Sequence, residues 1–448
     1  MLQTKIISQI LSSNAFKNIF RFSFFGIFAG ILLGFKSKCI YKSNNKDSLK
    51  IIVFSSNRYE QDLDAISKVE QASFYTIPLE LFQKINAIFS FKGKTENIFY
   101  HLEEDPVLLN LRDRQVLFLR KVGWVLKKLF HYDIAITPSM QYVNEKAWVK
   151  GLPEGGLPFV AIHKEFTLID EHHIPRRVKL NKEEKIRFEG SRLLVTNQTG
   201  KELFIQSNIF AGEKIGVVGL PRMDRILKAD SVFRKPTSSK QMTMFSFGHF
   251  SGDMEYIPRE RKAHYFSIND DLGFVELVRD SHAAFARAAL KRPDFRFVYK
   301  PKYNDPDWFA EIDHYVEYGT GKSIKEIKNL EIVFDPAPDL ICQSTAVVGF
   351  NSTVVIEARA LDKPTLIPVF AEAVGAYKDN VFFRDYLKLF ETPSSAKKLE
   401  ERLLELAKGQ DTTQSSDRKV YQKFIRNYLG YDDGRTSQRV IEELKKVL

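Results

Sequence analysis

Cysteine is scarce: among 448 residues only Cys39 and Cys342 occur. Two thiols this far apart share no metal-ligand spacing and make no disulfide framework. A cysteine zinc site and a small stapled secreted domain are therefore excluded, and a reducing compartment is the simpler reading. Internal repeats are absent as well, which excludes a solenoid or propeller. No basic stripe interleaved with aromatics runs along the chain, although the net charge is +11. Most of that excess lies in the first fifty residues, where Lys5, Lys17, Arg21, Lys36, Lys38, Lys42, Lys46 and Lys50 face Asp47 alone. The remainder is nearly balanced, so the charge points to a membrane surface and not to nucleic acid. With 44% hydrophobic and 27% charged residues the composition is globular, and the length suffices for two domains.

No apolar run reaches the roughly 20 residues of an ordinary transmembrane helix. The stretch from Phe22 to Phe35 is shorter, and extending it to Ile19 takes in Arg21, whose side chain can snorkel to headgroups. Before it, Leu2, Ile6, Ile7, Ile10 and Leu11 recur at helical spacing. Residues 1–40 thus read as an amphipathic and apolar membrane-associated segment that either spans the bilayer or lies in its interface. No small-x-small site follows, which argues against a cleaved signal peptide. Gly26, Gly30 and Gly34 make a small-xxx-small face on which two copies could pack as a homodimer. More lysine follows the apolar run than precedes it, which favours a cytoplasmic body.

Behind that segment, short apolar runs alternate with helical patterns. Ser48–Ser55, Tyr132–Thr137, Leu157–Ile162, Arg192–Thr196 and Ile215–Val218 read as buried strands of one α/β domain, residues 48–227. A Ser-, Lys- and Pro-rich linker spans 228–240. Met242–Phe247, Phe295–Tyr299, Glu331–Phe334, Leu340–Val348 and Pro364–Pro368 start a second series, residues 241–395, and 396–448 reads as a helical tail. Alternation of this kind predicts two α/β domains with parallel sheets. Ligands in such sheets sit at the carboxyl ends of the strands, so the loops there carry the function.

The richest stretch is Asp339–Pro368. A strand ends near Gly349, Asn351, Ser352 and Thr353 offer helix caps, and Glu357 follows one turn into the helix. The free N–H groups of such a helix start suit a phosphate, and the carboxylate suits ribose hydroxyls. Lys363-Pro364 then ends the helix. Upstream, Val217–Asp224 (VVGLPRMD) places Gly219 and Pro221 in a turn, with Arg222 able to meet a phosphate. Phe297–Lys302 (FVYKPK) ends a strand with Lys300 and Lys302, positive charge for a diphosphate. Leu157–Glu165 (LPFVAIHKE) puts His163 and Glu165 where another strand emerges, either able to serve as a base. Asn57, Arg58, Glu60 and Asp62 follow the first strand as candidates for an acceptor cleft. His172-His173 beside Glu171 read as solvated, and no metal is assigned.

Together these motifs resemble the GT-B enzymes that build bacterial surface carbohydrates: capsule and lipopolysaccharide glycosyltransferases, Kdo transferases, and CDP-glycerol glycerophosphotransferases. The resemblance covers roughly residues 48–400. It rests on the cap-and-Glu unit at Asn351, Ser352, Thr353 and Glu357 and on the Gly-x-Pro-Arg-x-Asp signature from Gly219 to Asp224. One departure stands out: no His-Pro follows Lys300-Pro301. The resemblance implies two facing Rossmann-like domains, with the donor on the second and the acceptor on the first. It implies a glycosyltransferase without a cofactor, taking a nucleotide sugar as substrate and a saccharide or lipid-linked saccharide as acceptor. The expected location is the cytoplasmic face of the bacterial inner membrane. Asn351, Ser352, Thr353, Glu357, Lys300, Lys302, Gly219 and Arg222 would hold the donor, Arg58 and Glu60 would line the acceptor cleft, and Glu165 with His163 would provide the base. Metal independence is expected, with the helix start at Asn351 and Lys300 or Arg222 stabilising the leaving group in place of a metal. The alternatives are a CDP-glycerol-type polyol-phosphate transferase, a sugar-nucleotide 2-epimerase, or a non-catalytic membrane-bound assembly protein.

Overall fold

Runs of β-branched and aromatic residues closed by polar loops become the strands. The computed structural model describes residues 21–89, 106–165, 168, 170–228, 240–252, 272–410 and 418–448. The chain divides into two units, one of residues 1–224 with 429–448, the other of residues 225–428. Most of the linker expected at 228–240, and the amphipathic stretch from Leu2 to Leu11, lie outside the described residues.

The first unit runs α1 (Phe25–Lys36), β1 (Lys38–Tyr41), β2 (Leu49–Val53), α2 (Glu60–Ser67), β3 (Ala72–Thr76), α3 (Leu79–Ile88) and α4 (Pro106–Lys128). It continues through β4 (Ile134–Thr137), α5 (Lys146–Glu154), β5 (Phe159–His163), α6 (Ile174–Glu183), β6 (Arg192–Val195), α7 (Gln198–Gln206) and β7 (Ile215–Val217). Its sheet has the order β1-β3-β2-β4-β5-β6-β7. Only β1 is antiparallel, at the edge; the other neighbours pair in parallel. Parallel strands need crossovers that cover both faces, which is why β4 and β5 are buried at every position. Along β2 the side chains alternate. Ile52 joins the core with Phe118, Trp148 and Phe159, while Ile51 and Val53 join Leu63, Phe74 and Ile134 on the other face.

The second unit runs β8 (Gln241–Phe245), α8 (Val275–Lys291), β9 (Arg296–Lys300), α9 (Pro306–Thr320), β10 (Leu330–Ile332), α10 (Ala337–Gln343), β11 (Ala346–Val348), α11 (Thr353–Ala360), β12 (Thr365–Leu366), α12 (Ala396–Leu406) and α13 (Arg418–Leu429). Its five strands, in the order β10-β9-β8-β11-β12, are all parallel. The apolar run Leu340–Val348, expected as one strand, is instead the end of α10 followed by β11. Pro338 and Asp339 sit in the first turn of α10 and favour a helix there.

The stretch from 396 to 448, expected as one helical tail, is split. After α13 the chain returns to the first unit as α14 (Thr436–Lys445). Val440, Ile441 and Leu444 complete the core on the Ile51 face. Arg192 donates from Nε to Glu443 Oε2 at 2.5 Å. The start of α14 is held by Asp224, whose carboxylate accepts from the Thr436 and Ser437 N–H groups at 2.8 and 2.7 Å.

Helix α1 also departs from expectation. Its Gly26 and Gly30 are buried against α4 of the same chain, and Gly34 against Phe130 just beyond α4. A Cβ at Gly26 would lie 2.2 Å from the Phe118 carbonyl oxygen, and one at Gly30 would lie 2.8 Å from Val125 Cβ. This face is therefore occupied within the chain and does not serve a homodimer. No helix among the described residues is long and apolar enough to cross a membrane.

Candidate functional site

In the first unit the loops after β2, β4 and β5 converge. Ser55, held at φ 48°, donates from Oγ to Glu145 Oε1 at 2.5 Å, and Thr137 Oγ1 donates to Glu145 Oε2. Glu145 is 2% exposed. Burial pushes its carboxyl up to about 7, against the pull of the hydrogen bonds from Ser55 and Thr137. His163, at the end of β5, is 3% exposed, and its Nδ1 accepts from the Met140 N–H at 3.3 Å. Burial first, and Lys146 second, lowers this imidazole to about 3, so it is neutral and a weak base at physiological pH. An acceptor at Nδ1 leaves the proton on Nε2.

Beside it, Arg58 and Glu60 are exposed, with the Arg58 guanidinium 4.9 Å above the Tyr142 ring. Asn57 is exposed and Glu165 is exposed just past β5. Lys164 Nζ donates to the Arg58 carbonyl. Asp62, unlike its neighbours, is buried: it accepts from the Arg222 N–H at 3.0 Å and stands 3.5 Å from its guanidinium. Tyr59, Asp62, His163, Lys164, Gly219 and Pro221 are among the residues lining a small cavity here.

The Gly-x-Pro-Arg-x-Asp stretch belongs to the first unit, as do Arg58 and His163. Its parts are structurally engaged. Gly219 has φ +97°, and a Cβ on it would come within 2.5 Å of Thr436 Oγ1. Arg222 is anchored to Asp62, and Asp224 caps α14.

In the second unit Asn351 also takes positive φ, 47°. Its Nδ2 donates to the Ser251 and Asn380 carbonyls at 3.0 and 2.8 Å, and its Oδ1 accepts from the Phe382 N–H at 2.8 Å. Asn351 therefore ties three loops together at the carboxyl end of the sheet. Ser352 is the N-cap of α11, accepting from Val354 N–H, and Thr353 opens the helix. Glu357 is 3% exposed, so only a ligand seated against α11 itself would meet it. Lys300 is half-buried at the end of β9 and donates to the Pro301 carbonyl at 3.1 Å; burial holds its ammonium below the usual lysine range. Lys302 is exposed.

Sequence reasoning passed over two groups. One is Glu145, a single acid in VNEKAW with no motif around it. The other follows β8 in Ser246-Phe247-Gly248-His249. His282 Nε2 lies 2.9 Å from Ser246 Oγ, and Trp308 Nε1 donates to the same oxygen at 2.9 Å. His249 Nε2 lies 2.7 Å from Tyr315 Oη. His282 is lowered to about 4, mainly by burial. A histidine beside glycine directly after a strand was the available signal; His282, mid-helix, gave none. Among the described residues, Asp170, His172 and His173 bring three ligand atoms within 4.8 Å of one another, a set able to hold a metal ion.

Residues 312–446, under a third of the chain, match the family model described as CDP-Glycerol:Poly(glycerophosphate) glycerophosphotransferase. The match supports an enzyme of the transferase class. A comparison with curated protein sequences finds no match. Among solved structures, the UDP-GlcNAc 2-epimerase from Neisseria meningitidis is similar at 14% identity and TM-score 0.47, over 89% of this chain and 99% of that one. The UDP-GlcNAc 2-epimerase from Methanocaldococcus jannaschii gives 12% and 0.46, over 89% and 99%. The wall teichoic acid polymerase TagF gives 12% and 0.44, over 88% and 98%. TM-scores below 0.5 at these identities assign neither activity nor ligand to this chain.

Proposed function

We propose that the protein transfers a glycosyl or polyol-phosphate group from a nucleotide-activated donor to a surface polymer, with its two α/β units in a GT-B arrangement. The observation that carries this is the glycerophosphotransferase match over 312–446, which takes in β10, β11, α11 and β12. The donor seats on the second unit. There the first-turn N–H groups of α11 and the half-buried Lys300 stabilise the phosphate of the leaving group. The acceptor seats on the first unit, near Arg58 and Glu60. Glu165 deprotonates its hydroxyl, and the neutral, buried His163 supports the β5 loop. Capsule or lipopolysaccharide saccharides and poly(glycerol phosphate) are the acceptor classes in view. The family match favours a CDP-linked polyol phosphate as the first donor to try.

The test is a thermal-shift and calorimetric screen against CDP-glycerol and the UDP, GDP, dTDP and CMP sugars, with and without chelator. Saturable binding of at least one, unaffected by chelation, supports a metal-independent donor site. Turnover of a UDP sugar without any acceptor would replace transfer by epimerisation, and binding of none would leave only the non-catalytic alternative.

A further inference from the structure

Helix α1 carries two opposite stripes. One is Gly26, Gly30 and Gly34, packed onto α4 and onto Phe130 just beyond it. The other is Phe28, Leu32 and Phe35, continued by Phe24 at the N-cap; Phe24, Phe28, Leu32 and Phe35 are 60%, 56%, 46% and 76% exposed. Glycine inward and phenylalanine outward is the reverse of a helix in contact with water. The ridge of α4 that borders α1 extends the apolar surface. Leu117 and Trp124 are exposed there, on either side of Lys121, whose Cβ would lie 2.9 Å from a Cβ on Gly26. Lys36, Lys38, Lys121 and Lys128 are exposed around this surface, and residues 21–46 contain no acid.

The geometry points to the lying-down alternative: α1 docks in the plane of an anionic lipid bilayer, phenylalanines inward to the acyl boundary, lysines at the headgroups. Twelve residues rise about 18 Å, well short of the roughly 30 Å hydrocarbon core, and the glycine face ties the helix to its domain. Both facts oppose spanning. The charge selects the occupant. A second copy meeting this face across a two-fold axis would set the lysine rim against itself. A lipid surface with negative headgroups pairs with that rim and takes the aromatics. This inference does not rest on the transfer reaction.

The test uses the full chain and flotation with vesicles of phosphatidylcholine alone or mixed with phosphatidylglycerol. Wild type should float with the anionic vesicles, more weakly at high salt. The variant Phe24→Ser/Phe28→Ser/Phe35→Ser should lose affinity by about tenfold or more. Lys36→Glu/Lys121→Glu/Lys128→Glu should lose the preference for anionic lipid, whereas Leu79→Ser, at an exposed leucine outside the face, should bind as wild type. Fluorescence gives a second readout. Trp124 is exposed, whereas Trp148 and Trp308 are buried, so brominated acyl chains should quench Trp124 selectively. Flotation of the triple serine variant equal to wild type, or failure of wild type to float, overturns the assignment. So does a dimer seen by sedimentation that the serine variant abolishes.

Discussion

The two units solve the same problem differently at the carboxyl ends of their strands. In the first, charged side chains stand in solvent (Arg58, Glu60, Glu165) around a buried carboxyl and a buried imidazole. In the second, the residues with the strongest sequence signal are engaged in holding loops: Asn351 by three hydrogen bonds, Ser352 as a cap, Glu357 by burial. A recognisable motif can therefore mark the scaffold of a site as readily as its contact surface. The first unit's own motif repeats the lesson, since Asp224 caps α14 and Gly219 fits under Thr436.

The largest expected effect breaks this comparison on the side of the first unit. Glu165→Gln should lower turnover by about 10²–10⁴-fold with donor affinity unchanged, as loss of a general base does. Steady-state rates and donor titration of the same variant check it. Turnover near wild type would make the β5 loop structural and move the search to Glu60.

On the side of the second unit, Asn351→Ala should behave as a stability variant. It strands two carbonyls and one N–H, at about 1 kcal/mol or more each, so denaturant unfolding should report a loss of roughly 3 kcal/mol. Asp224→Ala should cost less, about 1–3 kcal/mol, for two charge-assisted bonds at the α14 start. If Asn351→Ala instead keeps full stability and loses only donor binding, the residue is a contact and not a staple.

The smallest effect is a slope with pH. Glu145 titrates near 7 in the folded protein against an ordinary 4.5, so the fold favours its protonated form. That contribution is fully present below about 4.5 and is lost as pH rises through about 7. His163 acts oppositely: held near 3 against 6.5, it adds stability as pH rises between those values. Melting temperatures of Glu145→Gln should therefore fall less than wild type between about pH 5 and about pH 8. An identical slope in both proteins would show that Glu145 is not what titrates.

Much of the fold was legible because buried parallel strands are continuous apolar runs. IIV, IAIT, FVAI and RLLV all became strands of the first sheet. Strand β3, ASFYT, was not singled out, since Ser73 interrupts its apolar character although it is itself buried, with a hydrogen bond from Ser43 N–H. The fate of α14 was not legible either; its apolar stripe looks the same whichever core receives it. In the site, strand-end positions were readable from the pattern, but burial was not. Arg58 and Asp62 lie four residues apart, yet the first is exposed and the second is buried against Arg222. Glu145 gave no signal because its character comes from burial and from the hydroxyls of Ser55 and Thr137, which only the packing of the loops after β2 and β4 around it supplies.

The central claim, transfer from a nucleotide-activated donor, is tested most directly by incubating the protein with CDP-glycerol labelled in the glycerol and a poly(glycerol phosphate) or lipid-linked saccharide acceptor. The account predicts label in the acceptor with stoichiometric release of CMP, or, with a sugar nucleotide in its place, of the corresponding nucleotide. An intact donor with every nucleotide in the series, in the presence of acceptor and vesicles, would contradict it.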